Sequence, residues 1–129
     1  MKVKARRVLT AMTTTAEPLW FDGCPNHVPA RELLDEMIDG VAPGTPIIEI
    51  DASDPAVAAT RRFPGPPTIR INGRDVDPRY EDISDYSLRY RMFWTDSGLS
   101  GTPARVWIRD ALRGLGAPRW EARMARLDQ

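Results

Sequence analysis

The sequence predicts an α/β domain: a central mixed sheet of about four strands, covered by helices on both faces. Three observations predict it. Short apolar runs alternate with stretches whose apolar residues recur every three or four positions. A strong two-residue turn, Asn72-Gly73, separates two short strand patterns. Proline is abundant, 12 in 129 residues, which divides the chain into short elements with fixed turns.

Residues 17–21 read as the first strand, where Pro18 is tolerable near a strand start. Over residues 28–41 the apolar positions are Ala30, Leu33, Leu34, Met37, Ile38 and Val41. Those steps mark one face of a helix. Pro29 suits its first turn, and Gly40 with Pro43-Gly44 ends it. Residues 46–51, with Ile47, Ile48 and Ile50, read as a well-buried β-branched strand. Ser53-Asp54-Pro55 supplies a cap and then a proline at the first helical position, opening a short Ala-rich helix to about residue 62. Pro64-Gly65-Pro66-Pro67 forbids helix and forces a bend. Residues 68–71 and 74–76 are the arms of the Asn72-Gly73 hairpin.

Residues 78–101 have weak periodicity and hold Tyr80, Tyr86, Tyr90, Phe93 and Trp94. Such a clump either walls a pocket or forms core beneath a long loop. Core is the reading for Phe93 and Trp94, and Tyr90 stays open. Thr102-Pro103 caps a helix with Ala104, Trp107, Ile108, Ala111, Leu112 and Leu115 on one face. Pro118 breaks it. The tail, residues 118–129, sets Trp120, Met124 and Leu127 at helical spacing among arginines, as a solvated amphipathic helix would. Ahead of the domain, residues 1–16 are basic and lack the apolar run of a secretory signal. They read as a disordered extension, or as a chain whose true start is Met12. The domain proper is residues 17–117.

Composition narrows the function. Lys+Arg and Asp+Glu are equal at 18 each, so charge gives no support for nucleic acid as a partner. No apolar stretch is long enough for a membrane span. A single cysteine excludes an internal disulfide, as expected of the cytoplasm.

That cysteine, Cys24, lies in Phe21-Asp22-Gly23-Cys24-Pro25-Asn26-His27. A thiol followed by Pro, between a strand and an amphipathic helix, has the layout of a reactive cysteine at a helix start. The alternative is an inert small hydrophobe. His27, three residues on, is placed to stabilise a thiolate, move a proton, or pair with Cys24 on a soft metal. It reads equally as a solvated first-turn histidine. Asp22 either positions a proton near the thiol or makes the Asp-Gly turn, and turn chemistry is the stronger reading.

These residues carry a resemblance. The Cys-Pro loop, Phe63-Pro64-Gly65-Pro66-Pro67-Thr68-Ile69 with Asn72-Gly73-Arg74-Asp75, and Arg91-Met92-Phe93-Trp94-Thr95-Asp96 with Gly98-Leu99-Ser100-Gly101 together resemble the thioredoxin fold. The similarity is to small bacterial thioredoxin-family proteins, which often carry the name alkylmercury lyase. It covers residues 18–115. It implies that Cys24 matches the attacking cysteine of a C-x-x-C and that Pro67 matches the cis-proline facing it. His27 stands at the resolving-cysteine position, and Tyr90 where relatives often have another cysteine. The backbone from Pro66 through Thr68 then serves an extended peptide or a thiol ligand, with Pro25, Asn26 and Tyr90 beside it. Carbon–mercury protonolysis uses a thiol pair and a carboxylic acid, and this chain offers Cys24 and Asp22.

Three functions follow. The first is monothiol thiol–disulfide exchange, in which an external thiol resolves a mixed disulfide at Cys24. Its partner is a small thiol such as glutathione, or a protein thiol, with no resident cofactor required. The second is capture of a soft metal or thiol ligand at Cys24 and His27, by a monomer or across a homodimer. The third is non-redox chemistry in an aromatic pocket with His27 as acid/base.

Overall fold

The computed structural model describes residues 14–81 and 90–115. β1 (Ala16–Trp20) leads to α1 (His27–Val41), and β2 (Ile50–Asp51) leads to α2 (Pro55–Thr60). β3 (Thr68–Ile71) and β4 (Arg74–Asp75) follow, then β5 (Phe93–Thr95), β6 (Gly98–Ser100) and α3 (Arg105–Leu112). Expectations for residues 1–13, for Tyr86 and for the tail 118–129 lie outside the described residues.

The four-stranded sheet has the order β2-β1-β3-β4. β1 and β2 are parallel, with Leu19 opposite Ile50, because α1 carries the chain back between them. β3 is antiparallel to β1, with Leu19 opposite Thr68, and β4 is antiparallel to β3. Asn72 and Gly73 both have positive φ, 55° and 81°, as a tight hairpin with native twist requires.

Side chains of β1 alternate between two cores. Ala16 packs with Leu34, Ile38, Ile69, Ile71 and Ile108, beneath α1 and α3. Leu19 faces the other way and packs with Ile50, Ala52, Ala58 and Phe63, on the side of α2. Helices therefore cover both faces. Along α1 the buried residues are Ala30, Leu34 and Ile38, one every fourth position. Asp54 caps α2 by accepting the Ala56 N–H at 2.9 Å. Beyond its end the Arg70 guanidinium donates to the Arg61 and Arg62 carbonyls, at 2.7 and 2.8 Å.

Several expectations are corrected. The β2 ladder covers Ile50–Asp51, with one isolated bridge from Ile47 to Ala16. Among the described residues β2 is an edge strand, and Ile48, just ahead of it on that edge, is 50% exposed rather than buried. Residues 93–100 form a separate hairpin, β5–β6, around Asp96-Ser97. Its alternation buries Phe93 and turns Trp94 outward, 65% exposed, beside its cross-strand partner Leu99. Trp94 is therefore not core. α3 is capped at Ala104 rather than by Thr102, and it ends at Leu112, leaving Leu115 exposed.

Candidate functional site

β1 ends at Trp20, and β3 begins at Thr68, opposite Leu19. The Cys24 loop and the Pro66-Pro67 segment therefore leave the sheet at the same end. The Pro66–Pro67 peptide bond is cis, as the resemblance implies.

Phe21 to Cys24 is a turn: the Cys24 N–H donates to the Phe21 carbonyl at 3.4 Å, and Gly23 has φ +87°. That conformation favours glycine and explains Asp22-Gly23 locally. The Asp22 N–H donates to Ser53 Oγ at 3.1 Å, while its carboxylate faces solvent. The His27 N–H then donates to the Cys24 carbonyl at 3.4 Å. The helix cap is Asn26, so Cys24 stands two residues ahead of it rather than at the helix start itself. Its thiol is half-buried, and no hydrogen bond from a described residue reaches it. Pro25 beside it is exposed.

His27 stacks on Trp20, ring centroids 4.7 Å apart and planes 28° apart. Its Nε2 lies 3.5 Å from Glu49 Oε1. Arg31 Nη1 holds the other carboxylate oxygen at 2.8 Å and donates through Nε to Asp35 at 3.2 Å. The Trp20 indole N–H is buried with no partner among the described residues.

Across the site, Arg91 fixes the proline segment. Its backbone N–H donates to the Pro66 carbonyl at 2.9 Å, and its Nη1 donates to Thr68 Oγ1 at 3.1 Å. Thr68 Oγ1 in turn donates to the Gly65 carbonyl at 2.6 Å. The guanidinium makes a bidentate pair with Asp75, at 2.6 and 2.9 Å, and lies over the Tyr80 and Phe93 rings. The preceding residue, Tyr90, is exposed and reaches across the gap. Its hydroxyl donates to the Gly23 carbonyl at 3.4 Å, and its ring tilts over Phe21. The Tyr90-Arg91 dipeptide thus ties the cysteine loop to the proline segment.

Of the expected substrate contacts, Pro25 and Tyr90 are exposed, and Asn26 is half-buried. Pro66, Pro67 and Thr68 are fully buried, and the Pro66 carbonyl and Thr68 hydroxyl are already bonded. They lie beneath the surface at this end of the sheet. As metal ligands, Cys24 and His27 have no third partner: among the described residues no three His, Cys, Asp or Glu side chains gather as a ligand set. Sequence reasoning missed Glu49, Arg31, Asp75 and the Arg91 clamp. Only Arg31 left a local signal, four residues after His27 on the same helix stripe.

Set against known proteins, the chain matches no family model, no curated protein and no solved structure. Among the described residues no helix is long and apolar enough to cross a membrane.

Proposed function

We propose that the protein is a monothiol thioredoxin-like exchanger that uses Cys24. The observation that carries this reading is the placement of a half-buried cysteine and the buried Pro66-Pro67 segment at one end of adjacent strands. The strand order β2-β1-β3-β4, with only β1 and β2 parallel and helices on both faces, supports a thioredoxin-like fold.

The chemistry needs one thiol. Cys24 gives up its proton, for which His27, three residues on, is the proposed acceptor, and the thiolate attacks a disulfide R–S–S–R′. The sulfur–sulfur bond breaks, and R′S⁻ leaves and takes a proton. The product is a mixed disulfide, Cys24–S–S–R. An external thiolate then attacks the R sulfur and releases Cys24. The disulfide is the oxidant and the external thiol the reductant, so no resident cofactor enters. A lone thiol of this kind suits a reducing compartment such as the cytoplasm.

Turnover of a small mixed disulfide with an external thiol tests the reading. Cys24→Ser is expected to abolish it, and His27→Ala to slow it by roughly tenfold. Full turnover in Cys24→Ser overturns it.

A further inference from the structure

We propose that Glu49 is a positioning residue for His27: it holds the ring proton on Nε2 and leaves Nδ1 as the basic nitrogen of the site. The inference rests on the reading of Cys24 as nucleophile for its consequence, but its geometry stands apart from that reading. An imidazole on the protein surface turns freely and exchanges its proton between two nitrogens. His27 is constrained in both respects. The Trp20 face, 4.7 Å away, restricts rotation of the ring. The Glu49 carboxylate, 3.5 Å from Nε2, favours a proton on that atom. Nδ1 lies one bond from the ring's attachment point. It is the nitrogen left without the proton, on the residue whose main-chain N–H meets the Cys24 carbonyl at 3.4 Å.

Glu49 is itself held. Its second oxygen takes the Arg31 guanidinium at 2.8 Å, and Arg31 is braced by Asp35 at 3.2 Å. His27, Arg31 and Asp35 recur every four residues, so one stripe of α1 carries the row. Glu49 approaches from the segment entering β2, at the exposed edge of the sheet. The arrangement follows the general logic of nucleophile, base and orienting carboxylate. Arg31 keeps the carboxylate aimed at the ring.

His27 is the only histidine in the chain, so its ring nitrogens are observed without ambiguity in the ¹⁵N-labelled protein. At mildly alkaline pH a protected Nε2–H proton is expected in the wild type. Glu49→Ala should remove it while the backbone spectrum stays folded. Arg31→Ala should weaken it. Nδ1–H in the wild type, or an Nε2–H signal unchanged by Glu49→Ala, overturns the proposal whatever Cys24 does. The consequence is read by iodoacetamide alkylation of Cys24, in the wild-type and His27→Ala backgrounds. Glu49→Ala should slow alkylation several-fold in the first and leave it unchanged in the second. Equal slowing in both would show that Glu49 does not act through His27. A Cys24 inert to disulfides would sink the exchange reading alone, since neither the ring signals nor alkylation depends on turnover.

Discussion

Gly101 lies so close to the site that a Cβ built on it falls 2.7 Å from Asn26 Cγ. Asn26 caps α1 two residues after Cys24, so Gly101→Ala must displace that side chain. The expected cost is about 1 kcal/mol, because the end of a half-buried side chain can rotate aside. Urea unfolding measures it, and a shift in the Asn26 side-chain amide resonances locates it. Asp51 gives a second prediction at this scale. The Ser53 hydroxyl and then the Ser53 backbone N–H hold its carboxyl below the ordinary aspartate value. A group lowered in the folded state contributes above its unfolded value, and that contribution fades as pH falls through the folded one. Ser53→Ala should therefore raise the Asp51 midpoint in a carbon-detected titration. An unmoved midpoint contradicts this account. Asp22-Gly23 and Cys24-Pro25 were legible in the sequence because turn chemistry is local. Glu49 was not, because its role depends on where α1 docks against the entry to β2.

The Arg91–Asp75 pair links the elements: it joins β4 to the approach to β5 and clamps the start of β3. Side-chain exposure is only 10% for Arg91 and 4% for Asp75, and Asp77 Oδ2 stands 3.9 Å from the guanidinium, so losing Asp75 leaves a buried charge with only a distant partner. Asp75→Ala should cost roughly 3–5 kcal/mol in urea unfolding, and Asp75→Ala with Arg91→Leu together should cost less than Asp75→Ala alone. If the double variant is the weaker of the two, the burial argument fails. Helix α1 offers a simpler check. Leu34 is 0% exposed, and Leu34→Ala should destabilise by about 2–5 kcal/mol. The periodicity of α1 and the β3–β4 hairpin were readable from the chain, since a helix stripe and an Asn-Gly turn are short-range patterns. The β5–β6 hairpin was not. Its strands are three residues each, too short for alternation to stand out, and Trp94 looks apolar whichever way it points.

Over the whole molecule charge balances, yet three described carboxylates gather beside the Cys24 loop. Asp22, Asp51 and Asp54 converge there, joined through Ser53, which bonds to both the Asp22 N–H and the Asp51 carboxylate. Such a rim attracts cations and repels anions. Cystamine, a cationic disulfide, should therefore react with Cys24 faster than oxidised glutathione, by up to roughly tenfold at low salt. Added salt should close the gap, because exposed charges are screened over about 10 Å at 0.1 M. A preference for the glutathione disulfide would contradict this view of the rim. The mixed α/β class was legible at this scale because strand and helix patterns alternate along the chain. The charge cluster was not, because Asp22 comes from a different loop than the Asp51–Asp54 segment, and only the folded sheet brings the two together.

If folding makes Cys24 a competent nucleophile, as proposed, intact-mass kinetics with cystamine will reveal it. One adduct per chain is expected, formed faster in the native protein than in urea, absent in Cys24→Ser, and released by an added thiol. Slower modification in the native protein than in the unfolded chain would contradict it.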